Sequence, residues 1–313
     1  MAALYGRRLA AYGLCCAVWG STWLVIKVGL RDLPPFRFAA IRMAIACALM
    51  APLALRHAGR RPTRSEVLWI GICGLLQIGV AYAFVFSAEQ WIDSALAAIL
   101  FSTFPIWIGL FGHVWLADEP LTKRALVASV LGLAGVAVIQ GPAAAAALRA
   151  RPGPLLIGGL CMVGSAISAA IANVLNKLHF ARVSPYQNVW GQTLVGSVFL
   201  GALALVFERG SPMRWTPTSV FAMLYLALFG TALGFVALFW LIPRVSVAVI
   251  GTIPLVDTVV AVLLGAAILG ETLSARVLAG GLLILVGVLL VAVPGRGAAA
   301  RARDAGSIVP GDR

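Results

Sequence analysis

The apolar residues of this chain gather into long runs. Ten stretches of 20 to 25 residues carry few charges: residues 9–30, 36–55, 67–88, 94–116, 121–140, 154–178, 185–207, 219–242, 246–269 and 273–293. A helix needs about 20 predominantly apolar residues to cross the hydrocarbon core of a bilayer, and every run meets that length. Strands of a membrane barrel would alternate in polarity over about ten residues, and these runs do not alternate. The pattern predicts an all-α integral membrane protein with ten transmembrane helices. Arg7 and Arg8 precede the first run as they would in a signal peptide. That run is long for a signal, contains Trp19 and Trp23, and is followed by further spans, so it is read as a retained helix.

The spans fall into two sets of five that repeat one another. Glu119 closes span 4 and Glu271 closes span 9, and Gly135 and Gly287 follow them at equal distance. Lys27 precedes Pro35 by eight residues, as Lys177 precedes Pro185. Spans 4 and 9 each hold an interior proline, Pro105 and Pro254, although the proline-to-glutamate spacing differs by three residues. Five is odd, so the second set must enter the membrane upside down relative to the first. Inverted repeats are a common plan of secondary transporters, with the solute held near the midplane between them. The expected organisation is a first repeat over 9–142, an extracytoplasmic linker over 143–153, an inverted second repeat over 154–293 and a disordered cytoplasmic tail over 294–313.

Composition agrees with the pattern and removes other classes. Of 313 residues, 61% are hydrophobic and 11% charged, against about 45–50% and about 25% in soluble domains. The net charge of +13 would suggest nucleic acid in a soluble chain, but the basic residues lie in short loops and at the ends. With a cytoplasmic N-terminus, fifteen of the 24 Lys and Arg fall on the cytoplasmic side, seven outside, and Lys27 and Arg42 lie within helices. The positive-inside bias places both termini in the cytoplasm and leaves no call for nucleic acid as a partner. The five cysteines all sit in apolar runs without CxxC spacing, so neither a disulfide framework nor a zinc site is expected. HExxH, GxSxG and Walker lysine motifs are missing from the sequence. No enzyme, cofactor or metal is therefore expected, and an ion gradient or the solute's own gradient must supply the energy.

Ionisable residues inside spans are costly and point to function. Lys27, near the outer end of span 1, and Arg42, early in span 2, are placed to attract an anionic group such as a carboxylate, or else to snorkel toward the headgroups. Asp257 is the acid that falls deep in a span, three residues past Pro254. It either takes up and releases a proton or packs two helices. Glu119 and Glu271 precede the next helices, where acids favour helix N-termini, and are read as structural. Trp19, Tyr82, Asn173 and Gln192 are polar or aromatic candidates for a cavity wall. Any of them can equally be helix packing.

Trp19-Gly20-Ser21-Thr22-Trp23, Lys27, Pro35, Phe38 and Arg42 together resemble the opening of an EamA-type domain. Pro105, Asp118-Glu119 and the glycine-rich span that follows resemble its close, and Pro254, Gly270-Glu271 and Gly287 repeat that close. The resemblance covers residues 9–293. It implies a ten-helix drug/metabolite transporter in which spans 1–4 and 6–9 surround a central cavity and spans 5 and 10 stand aside. Such proteins carry amino acids, sugars, nucleotide sugars, amines and drugs. The second half lacks Trp-Gly-Ser and has Gln192 where Arg42 falls, so the halves are not expected to bind ligand symmetrically. The expected function is export of a small organic metabolite such as an amino acid across the inner (plasma) membrane, with Asp257 as proton carrier and Trp19, Arg42, Tyr82, Asn173 and Gln192 at the substrate. A lipid-handling or receptor-like membrane protein on the same scaffold is the alternative.

Overall fold

A computed structural model describes residues 2–57, 59–92, 94–150, 152–269 and 274–292. These form α1 (Ala2–Gly29), α2 (Pro35–Arg56), α3 (Arg64–Gly74), α4 (Ala81–Trp91), α5 (Ser94–Phe101), α6 (Phe104–Trp115), α7 (Lys123–Ala150), α8 (Pro152–His179), α9 (Pro185–Phe207), α10 (Pro217–Tyr225), α11 (Gly234–Leu241), α12 (Val247–Gly251), α13 (Ile253–Leu269) and α14 (Ala275–Ala292). No strand occurs among the described residues. Among the described residues seven stretches are long and apolar enough to cross a membrane: Leu4–Gly29, Pro35–Arg56, Arg64–Trp91, Lys123–Pro142, Leu156–His179, Pro185–Phe207 and Pro217–Arg244. Shorter apolar helices, Ile99–Trp115, Val247–Ala261 and Ala275–Val291, occupy the expected spans 4, 9 and 10. Glu271 and the expected tail 294–313 lie outside the described residues.

Local chemistry explains where the helices start and break. Pro35, Pro185 and Pro217 open α2, α9 and α10, positions where a missing N–H costs nothing and φ is already helical. Thr63 with Glu66, and Thr216 with Ser219, form reciprocal N-terminal caps. Pro105 and Pro254 stand at breaks between helices, whereas Pro52 and Pro142 lie inside the continuous α2 and α7. Ahead of Pro105, the Thr103 hydroxyl donates to the Leu100 carbonyl at 2.7 Å. Ahead of Pro254, the Thr252 hydroxyl does the same to Val249 at 2.7 Å. Each proline then stands in the first turn of the following helix, α6 or α13. The expected linker is helical through Ala150, in keeping with alanine's high helix propensity.

Two rods change their winding part-way. Leu75–Val80 between α3 and α4, and Leu226–Leu233 between α10 and α11, are π-helical. Near each, a backbone carbonyl accepts a side chain from another rod: Leu76 from the Ser168 hydroxyl at 2.8 Å, and Gly230 from the Trp19 indole at 3.1 Å. Partners of this kind compensate the backbone groups that a π turn leaves misaligned.

The most extensive packing joins α2 to α9 and α7 to α14. α1 packs on α11 and α13, and α8 on α4 and α6. The α7–α14 contact is made backbone to backbone. A Cβ on Gly135 would come within 2.6 Å of the Gly280 carbonyl, one on Gly280 within 2.7 Å of the Gly135 carbonyl, and one on Gly287 within 2.7 Å of the Ala128 carbonyl. Small residues at such crossings let helices approach where no hydrophobic effect drives them together. Gly135→Val is therefore expected to destabilise the fold by about 1–3 kcal/mol, the usual cost of overpacking. Thermal unfolding in detergent measures this, and an unchanged midpoint would mean that the crossing relaxes freely.

Candidate functional site

The main core of the bundle surrounds a cavity of about 110 Å³. Its wall draws on α1 (Trp19, Trp23), on the π segment before α4 and α4 itself (Gln77, Tyr82), and on α5 and α6 (Phe101, Phe104). The second half contributes α8 (Ser165, Asn173), α11 (Phe235), α12 (Ile250) and α13 (Asp257). Among the described residues α7 and α14 take no part in it, and neither do α2 and α9, which were expected in the wall as spans 2 and 7.

The wall is mainly apolar, part aliphatic and part aromatic. Trp19 meets Phe235 edge-on at 5.6 Å, Trp23 meets Phe101 edge-on at 5.7 Å, and Phe101 stacks on Phe104 at 5.9 Å. The hydroxyl and amide groups are already oriented by the backbone. Thr22 donates to the Trp19 carbonyl at 2.8 Å and Ser165 to the Ala81 carbonyl at 2.9 Å. Asn173 spends its amide donors on Gln77 Oε1 at 2.9 Å and the Ala169 carbonyl at 2.8 Å, leaving its own carbonyl oxygen without a partner. Asp257 is 4% exposed, and no lysine or arginine among the described residues pairs with it.

Four of the seven residues singled out in the sequence, Trp19, Tyr82, Asn173 and Asp257, come together in this wall. Arg42, Gln192 and Lys27 do not. Arg42 is 1% exposed, sits 4.8 Å from the Tyr82 ring centre and 5.7 Å from that of Phe86, and donates to the Thr231 hydroxyl at 3.2 Å. It braces the wall from behind. Gln192 is fully buried in a seam between α8 and α9, where it donates to Asn176 at 3.0 Å and Asn188 at 2.7 Å. Lys27 lies half-buried in the last turn of α1.

Sequence reading missed Thr22, Ser165, Phe104 and Phe235 in the wall. Small hydroxyl and aromatic residues are too common in apolar spans to stand out. It also passed over Glu89, a second buried acid, at 5% exposure in the last turns of α4. The expected span ended one residue before it. Glu119 makes contacts that the sequence did not announce. Its Oε1 accepts from Lys177 at 2.6 Å and its Oε2 from the Val247 N–H at 3.3 Å, at the start of α12. Lys177 also donates to the Val245 carbonyl. The acid thus ties the loop after α6 to the end of α8 and to a helix N-terminus, though not that of the next helix.

The EamA-like transporter family model matches residues 9–140 and 156–293, nearly the whole of both halves. The chain belongs to the EamA-like transporter family. This EamA-like chain is 27% identical over 275 residues to the uncharacterized transporter YoaV of Bacillus subtilis (strain 168), covering 87% of itself and 92% of that protein. It is 30% identical over 273 residues to the uncharacterized inner membrane transporter YedA of Escherichia coli (strain K12), covering 87% and 84%. A chain solved by crystallography shares the fold at a TM-score of 0.75 with 21% identity, covering 91% of this chain and 96% of the other. With its long apolar helices, the EamA-like chain is a multi-pass membrane transporter, acting on small solutes in a bilayer.

Proposed function

We propose that this protein is a proton-coupled secondary transporter that exports a small organic solute through the central cavity, by alternating exposure of two inverted five-helix repeats. The observation that carries this reading is the cavity itself: both halves build it, and its polar groups converge on a wall that is otherwise aliphatic and aromatic. The repeats span 9–142 and 154–293, with 143–153 outside and both termini in the cytoplasm. Paired features support the inverted plan. Thr-x-Pro breaks fall at 103–105 and 252–254, π segments at 75–80 and 226–233, and glycine-to-carbonyl contacts at Gly135–Gly280 and Gly287–Ala128. The ten-span count follows if the three shorter apolar helices also cross. The inner-membrane relative supports a plasma-membrane location. Asp257 is the carboxylate in the wall and is assigned the proton.

Thiol chemistry tests the site. In a background freed of its five cysteines, Tyr82→Cys and Asn173→Cys should react with a water-soluble thiol reagent, and a transported solute should slow the reaction. Leu133→Cys and Leu285→Cys, in α7 and α14, should show no such protection. Protection confined to α7 and α14 would sink the central-cavity assignment.

A further inference from the structure

We propose that the solute of this cavity is an organic ammonium ion, a protonated amine with N–H donors carried on an apolar or aromatic body. The proposal rests on the transporter reading above and adds the chemical class. Three observations converge on it. Among the described residues, the one charged side chain in the wall is the carboxylate of Asp257. An anionic pole would find no cation there, and burying two like charges together in a low-dielectric site is costly. Arg42 lies over the Tyr82 ring, behind the wall, and offers the solute no direct contact.

The second observation is the direction of the hydrogen bonds. The hydroxyl hydrogens of Thr22 and Ser165 are used on backbone carbonyls, and the amide hydrogens of Asn173 on Gln77 and Ala169. What these groups still offer is lone pairs, and the Asn173 carbonyl oxygen is buried with none of its acceptor capacity used. With an ionised Asp257, which only accepts, the wall is rich in acceptors and asks for a donor. Trp23, Gln77 and Tyr82 retain neutral donors suited to polar atoms elsewhere on the solute. The third observation is the aromatic lining of Trp19, Trp23, Tyr82, Phe101, Phe104 and Phe235. Aromatic faces attract cations, most strongly where water is excluded, and they give an apolar body a surface to pack on. A zwitterionic amino acid satisfies the carboxylate with its ammonium but leaves its own carboxylate unpaired, so the free amine is the better fit.

Full-length protein in detergent should be titrated with phenethylammonium, its neutral counterpart 2-phenylethanol, and 3-phenylpropanoate, reading the change in intrinsic tryptophan emission, to which Trp19 and Trp23 of the wall contribute. The ammonium is expected to bind about tenfold or more tightly than either other compound, the scale of a charge-assisted hydrogen bond. Asp257→Asn should remove that preference, bringing the ratio of the ammonium and alcohol affinities close to one. Equal or tighter binding of the alcohol or the carboxylate overturns the proposal, as does a preference that survives Asp257→Asn. Flux in proteoliposomes separates this failure from failure of the transporter reading. Ala169→Trp fills the cavity, and Ala81→Phe is the second filling variant if the first does not fold. If the filled protein no longer passes the alcohol or the carboxylate that the wild type passes, the transporter reading stands and the ammonium class falls. If filling the cavity changes neither binding nor flux, both fall.

Discussion

Asp257→Asn should reduce gradient-driven solute flux to the background of protein-free liposomes. The substitution keeps the volume of the side chain and removes only its titration. Asp257 lies in α13 just beyond the break at Thr252, faces the cavity, and is almost wholly shielded from bulk water. An unpaired carboxylate in that setting is expensive to keep, and packing alone would be served as well by asparagine. Flux is to be measured with and without an imposed pH gradient, alongside Asp257→Glu, which restores a titratable group and should recover part of the response. Gradient-driven flux at the wild-type rate in Asp257→Asn would reduce the residue to a packing role.

Arg42→Met should produce opposite changes in stability and transport. Among the described residues no carboxylate pairs with the buried guanidinium, and its Nε and Nη1 have no hydrogen-bond partner. Burying an ion costs several kcal/mol. Against this stand a cation–π contact of up to about 2 kcal/mol and one hydrogen bond of about 1 kcal/mol. Replacement by an apolar chain of similar length should therefore stabilise the protein by about 1–3 kcal/mol, seen as a higher unfolding midpoint in detergent. Transport should fall, because the Tyr82 ring loses the charge that holds it in the cavity wall. A lower midpoint together with unimpaired flux would make Arg42 a purely structural residue.

The membrane class, the positions of the apolar helices and four residues of the wall were legible in the sequence, because each rests on a rule with little competition. Twenty apolar residues have few fates besides crossing a bilayer, and a proline must interrupt the helical ladder. Trp19, Tyr82, Asn173 and Asp257 carry groups that an apolar span tolerates only against protein or water. The same rule could not separate a cavity wall from a seam between helices. Arg42 and Gln192 satisfy it by facing protein, behind the wall in one case and between α8 and α9 in the other. Thr22 and Ser165 were invisible for the converse reason: a short hydroxyl can bond to a backbone carbonyl in any span, so its presence signals nothing. The tie between Glu119, Lys177 and Val247 joins residues 58 or more positions apart, and no local pattern announces it.

The π segments at Leu75–Val80 and Leu226–Leu233 change how each rod must be read on a helical wheel. One surplus residue in an α-helix turns everything beyond it by about 100°. Residues eleven apart, which a straight helix stacks almost in line, are turned roughly a quarter of a revolution from each other across the segment. Ile70 and Ala81, both buried, stand in that relation. A wheel drawn from the α3 end therefore assigns the faces of α4 wrongly, and one drawn from α10 does the same for α11. Choosing surface positions for labels or cross-links on these two rods requires restarting the count after Val80 and after Leu233.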